Sequence, residues 1–92
     1  MAYYVAEGAV IKGNITIGED SGIWYNATIR GDSNQIAIGS RTNVQDNAVV
    51  HVSSGYPVSI GNDVTIGHGA IVHGCTVGSN TLIAVSYTHL TL

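Results

Sequence analysis

Aliphatic residues recur at six-residue intervals along most of the chain. This spacing matches neither the 3.6-residue period of an amphipathic helix nor the two-residue alternation of a half-buried strand. It is typical of hexapeptide repeats, in which each repeat contributes one short strand and one corner. The anchor positions of the repeat are Ile11, Ile17, Ile23, Ile29, Ile38, Val44, Val50, Ile60, Ile66, Val72, Val77 and Ile83.

Two other positions of each repeat agree with this interpretation. The fourth residue after an anchor is small or β-branched, as a second inward position in a narrow coil requires. These residues are Ser21, Ala27, Thr42, Ala48, Val64, Ala70 and Thr81. The third residue after an anchor is often Asp or Asn, which tolerate left-handed backbone and are expected to form the corners. They are Asp20, Asn26, Asp32, Asn47, Asp63 and Asn80.

The pattern predicts an all-β fold, a parallel β-helix in which three strands and three corners make one triangular coil of about 18 residues. Stacked coils about 4.8 Å apart would form three flat parallel sheets around an aliphatic core. A β-sandwich is the alternative, but it needs hairpin turns that the sequence lacks. We expect the β-helix to occupy residues 1–83, and residues 84–92, which fit no hexapeptide position, to be a disordered or artefactual tail.

Following the anchors in order assigns each to one of three faces, if residues 33–35 and 53–57 are loops that bulge from corners. Face A carries Ile11, Ile29, Val50 and Val72. On face B, the residue after each anchor is a glycine: Gly18, Gly39, Gly61 and Gly78. On face A, the same outward position holds Lys12, Arg30, His51 and His73. Face A has therefore replaced the usual glycine with a column of basic and imidazole side chains.

This column suggests a metal site. His51 and His73 lie one coil apart, about 4.8 Å at the backbone, so their rings can converge on one ion. His68 follows Ile66 by two and lies near a corner of face C, the third face, where Tyr25 and Asp46 hold the equivalent places. Because face C is turned by about 120° from face A, His68 is expected to join the other two only from a neighbouring chain.

If face A of one chain packs against face C of the next, a three-fold rotation closes a trimer with three imidazoles at each interface. Three imidazoles with an open fourth position are typical of catalytic zinc. The alternative is that the histidines lie on the outer surface of a sheet without binding a metal. Cys75 is expected to be buried or half-buried by packing at a corner rather than to bind metal, and His89 has no expected role.

Composition narrows the function classes. Three basic and six acidic side chains give a formal net charge of −3, which offers no basic patch for nucleic acid. The apolar runs are far shorter than the roughly 20 residues that cross a bilayer, and the N-terminus has no signal-like segment. The single cysteine agrees with a reducing compartment. We therefore expect a cytoplasmic protein with neither nucleic-acid nor membrane partners.

Four motifs resemble the γ-class carbonic anhydrase-like family: IRGD at 29–32, TNVQD at 42–46, VVHV at 49–52 and IGHGAIVHGC at 66–75. The resemblance implies a left-handed β-helix, a homotrimer, and zinc, with iron or cobalt as alternatives. It implies reversible hydration of CO2 to bicarbonate by zinc-bound hydroxide at a subunit interface. His51 and His73 match the metal ligands from one subunit, and His68 matches the ligand from its neighbour.

The same resemblance implies roles for five polar residues. Arg30 and Asp46 match a pair that bridges subunits, and Asp32 is expected to support it. Asn43 and Gln45 match polar residues close to the metal-bound water. Separately, the position of Trp24 on the outside of face C indicates a large side chain that an interface would bury.

The chain also departs from the family. Ser33 occupies the place where some members carry a glutamate that shuttles protons, and residues 53–57 contain no carboxylate. The family also continues with further coils and a C-terminal helix after the position of Ile83. The departures favour a second hypothesis, a catalytically weak or inactive metal-binding trimeric scaffold. A third is a hexapeptide acyltransferase, which shares the fold and uses a histidine at a subunit interface.

Overall fold

The computed structural model describes residues 2–84, which form a stack of short strands without a helix. The described part therefore contains no helix that could cross a membrane. Its strands are β1 (Tyr4–Val5), β2 (Val10–Ile17), β3 (Gly22–Ile23), β4 (Thr28–Ile38), β5 (Asn43–Val44), β6 (Val49–His51), β7 (Val58–Ile60), β8 (Thr65–Ile66), β9 (Ile71–His73), β10 (Thr76–Val77) and β11 (Leu82–Ile83).

Every pairing between these strands is parallel, and the register follows the anchors. On face A the paired anchors are Ile11, Ile29, Val50 and Val72. On face B they are Ile17, Ile38, Ile60 and Val77. Face C is the sheet β1-β3-β5-β8-β11, with Ile23, Val44, Ile66 and Ile83 in register. The predicted left-handed parallel β-helix and its three faces are confirmed.

The core is a column of branched aliphatic side chains with small residues at the corners. Anchors of the central coils such as Ile23, Ile29 and Val44 are completely buried. Two polar side chains also face inward, and both are satisfied by hydrogen bonds between coils. Ser21 Oγ donates to the Gly39 carbonyl at 2.8 Å, and Thr42 Oγ1 donates to the Gly61 carbonyl at 2.8 Å. Within the described residues, these two hydroxyls link successive coils without leaving an unpaired buried side chain.

Most corners turn on one residue with positive φ, as the Asp and Asn pattern predicted. The non-glycine residues concerned are Asp20, Asn26, Arg41, Asn47, Asp63 and Asn80. The prediction was wrong for Asp32, which lies inside the extended strand β4. It also missed Arg41, whose residue type does not favour the left-handed region.

The corner between faces A and B differs from the other two because it takes up the extra residues. In β4, the stretch from Gly31 to Ile36 lies opposite the shorter stretch from Gly13 to Ile15 in β2. The next coil passes from β6 to β7 through a turn in which Ser53 pairs with Tyr56. Both insertions therefore fall at this corner, directly after the outward column of face A, but the first is a bulged stretch within β4 and not the predicted loop.

Cys75 is exposed, so the expectation that it is buried or half-buried by packing at a corner was wrong. It immediately precedes β10, which is the edge strand of its sheet in the described part of the chain. No later coil therefore covers this position within residues 2–84. Of the expected tail at 84–92, residues 85–92, including His89, lie outside the described residues.

Candidate metal centre

The outward column of face A is present as the repeat predicted. Lys12 pairs with Arg30 across β2 and β4, Arg30 pairs with His51, and His51 pairs with His73 across β6 and β9. Parallel pairing without a shift places the four side chains above one another, one per coil. The sequence thus predicted which side chains share a column, although the two inserted loops have different lengths.

The His51 and His73 rings are stacked, with centroids 5.4 Å apart and planes 28° from parallel. Imidazole is a common ligand of zinc, and each Zn–N bond is about 2.0–2.1 Å. Two rings at this separation are therefore close enough to share one ion. The chemistry and spacing of this pair fit the metal that the resemblance implies.

Arg30 and Asp32 surround the Nε2 atom of His51. The Arg30 guanidinium Nη2 lies 2.8 Å from His51 Nε2, and Asp32 Oδ1 lies 3.3 Å from the same nitrogen. Arg30 Nε also lies 3.4 Å from Asp32 Oδ2. Because a guanidinium only donates and a carboxylate only accepts, the two contacts require opposite roles of His51 Nε2, and which of them is a hydrogen bond depends on the tautomer of the ring.

The pKa of Asp32 is lowered by this cluster. Desolvation, the largest single influence, raises the pKa, but the hydrogen bond with His51, the charge of Arg30 and two smaller influences together outweigh it. The carboxyl group is therefore ionised at neutral pH. It provides a negative charge beside the imidazole column.

Ser53 is a site residue that the sequence interpretation missed. Its Oγ lies 3.1 Å from His73 Nε2. Ser53 therefore contacts His73 in the same way as Asp32 contacts His51. The equivalence was readable from the repeat, since Ser53 follows anchor Val50 by three as Asp32 follows Ile29. Asn34 holds this turn in place, because its Nδ2 donates to the Ser54 carbonyl at 2.8 Å and the Ser53 carbonyl at 3.3 Å.

His68 lies on the other side of the coil, as predicted. It follows β8 of face C and is exposed at the corner where the Gly69 N–H donates to the Asp46 carbonyl. Among residues 2–84, no group of three or more His, Cys, Asp or Glu side chains is placed to hold a metal ion. One chain thus brings together His51 and His73 but not His68, and it leaves Arg30 on Asp32 rather than on Asp46.

Asn43 and Gln45 are half-buried and flank the inward Val44 on face C. The Trp24 indole Nε1 donates to Asn43 Oδ1 at 2.9 Å, and the indole lies against Tyr4 and Tyr25. Trp24 is therefore half-buried by its own chain, and Gln45 lies on the face that carries His68.

The three parallel faces define a hexapeptide-repeat β-helix protein. The chain is 54% identical over 84 residues to a probable carbonic anhydrase from Methanocaldococcus jannaschii, covering 91% of this chain and 53% of that protein. It is 45% identical over 93 residues to the mitochondrial gamma carbonic anhydrase 1 of Arabidopsis thaliana, covering 95% of this chain and 34% of that protein. The resemblance to the γ-class carbonic anhydrase-like family is confirmed, and a carbonic anhydrase of Geobacillus kaustophilus matches at 42% identity over 82 residues, with 89% and 45% covered.

Solved structures show the same architecture. A hexapeptide transferase family protein from Anaplasma phagocytophilum superposes with a TM-score of 0.66 at 41% identity, covering 80% of this chain and 46% of that chain. A putative acetyltransferase from Bacillus cereus superposes with a TM-score of 0.59 at 28% identity, covering 87% and 67%. The scan against protein-family models finds no match. The chain spans about half the length, or less, of these carbonic anhydrases.

Proposed function

We propose that this chain forms part of a zinc-dependent, carbonic anhydrase-like enzyme that interconverts CO2 and bicarbonate in the cytoplasm. The observation that carries the proposal is the stacked pair of His51 and His73 on face A, with His68 exposed on face C. The pair needs a third ligand, and His68 of a neighbouring copy can supply it when face A packs on face C. The assembly would be a homotrimer.

The donor set agrees with zinc rather than with a hard cation. Three neutral imidazoles suit zinc, with iron or cobalt as alternatives, whereas calcium and magnesium prefer oxygen ligands. Zinc, when bound, lowers the pKa of a coordinated water to about 7, as in carbonic anhydrases of another fold, and so supplies a nucleophile at neutral pH.

The remaining polar residues have roles that their positions support. The cluster of Arg30 and Asp32 holds the His51 ring through Nε2, so it can orient this imidazole before assembly. In the trimer we expect Arg30 to turn to Asp46 of the neighbour in a bidentate pair. Gln45 and Asn43, outward on face C, would then face the ligands and can hydrogen-bond a substrate oxygen.

Metal content of the size-fractionated full chain tests the shared site. We expect about one zinc per chain in a trimer, and loss of both zinc and trimer in His68→Ala, because each site needs one imidazole from face C. His89→Ala is the matched control, since this histidine belongs to no column of the repeat. Zinc that remains bound after His68→Ala, or a metal-free wild type, would contradict the shared site.

A CO2 hydration assay with and without imidazole buffer tests the activity. We expect hydration that imidazole accelerates, because residues 33 and 53–57 offer no carboxylate to transfer protons to bulk buffer. Hydration should disappear in His51→Ala. A zinc-loaded trimer without activity would instead support the second candidate, a metal-binding scaffold, which the missing carboxylates favour.

The hexapeptide transferase and acetyltransferase structures share the fold and leave acyl transfer as a third candidate. An acyltransferase of this kind needs a single interface histidine, not a metal. Activity with an acyl donor that survives complete removal of zinc would favour it.

A further inference from the structure

A second group of side chains lies on the outer surface of face C, apart from the imidazole column of face A. Trp24 lies across this surface, with its indole N–H bonded to the Asn43 side chain at 2.9 Å. The Tyr4 ring packs on the indole, with centroids 5.1 Å apart and planes tilted by 47°. Tyr4 lies on β1, Trp24 directly follows β3, and Asn43 lies on β5. Side chains of three coils therefore pack around one hydrogen bond.

Gly22 makes room for this bond. It pairs with Asn43 in the neighbouring strand. A Cβ atom at Gly22 would lie 2.7 Å from Trp24 Nε1 and 2.9 Å from Asn43 Oδ1. Any side chain at position 22 would therefore push the indole and the amide apart, although the backbone of Gly22 has no positive φ that requires glycine.

The bond fixes which end of the Asn43 amide faces outward. An indole N–H is only a donor, so it must meet the amide oxygen and not the nitrogen. With Oδ1 turned to Trp24, the two N–H groups of Nδ2 are left for other partners. Asn43 is thereby set as a hydrogen-bond donor, whereas a free amide could present either end.

We propose that Trp24 is a positioning residue, which turns the Asn43 amide so that its Nδ2 donates to an oxygen of bicarbonate. The inference rests on the proposed function, in which face C borders the metal site. Asn43 lies on β5, two residues before Gln45 and directly beside Thr65 of β8, the strand that leads to His68. An oxygen of bicarbonate accepts hydrogen bonds, so it requires a donor at this position.

Hydrogen exchange of the indole N–H tests the bond itself. Trp24 is the only tryptophan of the chain, so its indole N–H gives one NMR signal in this chain. We expect Asn43→Asp to keep the exchange protection, since a carboxylate oxygen still accepts, and Asn43→Ala and Gly22→Ala to lose it. An indole that exchanges as fast in the wild type as in Asn43→Ala would overturn the proposal.

Bicarbonate titration of the zinc-loaded protein tests whether Asn43 donates to the ligand, with the Asn43 Nδ2 resonances as the probe. We expect these signals to shift, and the affinity to fall about five- to tenfold in Trp24→Phe and Gly22→Ala, as for one lost hydrogen bond. Asn43→Asp should lose affinity although its indole stays protected. Asn62→Asp is the matched control, because Asn62 Oδ1 also accepts an N–H, from Ser40 on another corner.

The outcomes separate this inference from the proposed function. Bicarbonate shifts at Asn43 without CO2 hydration would refute the enzyme and keep the positioning role of Trp24. Hydration that is unchanged in Trp24→Phe, with no shift at Asn43, would refute the positioning role and keep the enzyme. The absence of both responses would refute both.

Discussion

Single residues at the corners decide how each coil closes, and Arg41 and Asp63 form the most unusual pair. Both have positive φ, at 52° and 56°, and they lie at the same corner of successive coils. Arg41 Nε donates to Asp63 Oδ1 at 2.8 Å, and Nη2 donates to Oδ2 at 3.2 Å. This bidentate ion pair stands at a corner where Arg41 replaces the Asp or Asn of the other coils.

The ion pair makes stability depend on pH. The hydrogen bond and charge of Arg41 lower the pKa of Asp63 in spite of some desolvation. A lowered folded-state pKa stabilises the protein above the unfolded value of about 3.9, and this contribution disappears as the pH falls through the folded pKa. We expect Asp63→Asn to lower Tm at pH 7, with a difference that shrinks below about pH 4.

The variant is well matched, because Asn also tolerates left-handed backbone, and Glu7→Gln controls for the loss of one exposed charge. Thermal unfolding by circular dichroism at several pH values measures the effect. A Tm difference that is constant down to the lowest pH would contradict the role of the pair.

The corner residues also mark how far the sequence could predict backbone detail. Asp and Asn after the anchors predicted the left-handed corners correctly, yet Asp32 is extended, because the insertion in β4 replaces the tight corner there. Arg41 holds the same place, three residues after Ile38, but its residue type gave no such signal. For the site, the repeat predicted the column of His51 and His73, and it also offered Ser53 through its position three residues after Val50, which the sequence interpretation did not use.

At the scale of elements, face B shows why the repeat prefers glycine after an anchor. A Cβ atom on Gly39 would lie 2.5 Å from the Gly61 carbonyl oxygen of the next coil. At Gly78, the last member of the same column, an added Cβ would have no heavy atom of the described residues within 4 Å. Close stacking of coils, and not backbone conformation, therefore selects glycine on this face.

This contrast gives a matched pair of substitutions. We expect Gly39→Ala to destabilise the protein by about 1–3 kcal/mol, because the backbone of the next coil has to move. Gly78→Ala should change stability by no more than about 0.5 kcal/mol. Urea unfolding of both variants measures the difference, and equal effects would show that the glycines serve conformation instead of stacking.

At the scale of the molecule, residues 2–84 form a one-dimensional stack, in which each coil pairs its strands with those of the coils beside it. Central anchors such as Val44 and Val50 are completely buried, whereas Ile11, Ile17 and Ile83 near the ends are only partly buried. Each coil in such a stack is stabilised by its neighbours, and a coil at either end has only one. Local opening is therefore expected to be easiest at the ends.

Hydrogen exchange can test this distribution. In the full chain we expect the strongest amide protection in β4, β5 and β6, and protection lower by about tenfold or more in β1 and β11. Mass spectrometry of peptides from deuterated protein, kept at one fixed oligomeric state, measures it. Uniform protection along the chain would show that the stack opens as a single cooperative unit.

The corner between faces A and B has absorbed additional residues in two coils, yet the strands on both sides keep their register, as Ile36 with Val58 and Ile38 with Ile60 show. The consequence is a ready place for protein engineering. A segment grafted between Ser53 and Tyr56 would emerge beside the imidazole column without crossing the core. An acidic group, a fluorescent reporter or a tether to a surface could be introduced at this position. The inserted segment could then be varied without changing the β-helix.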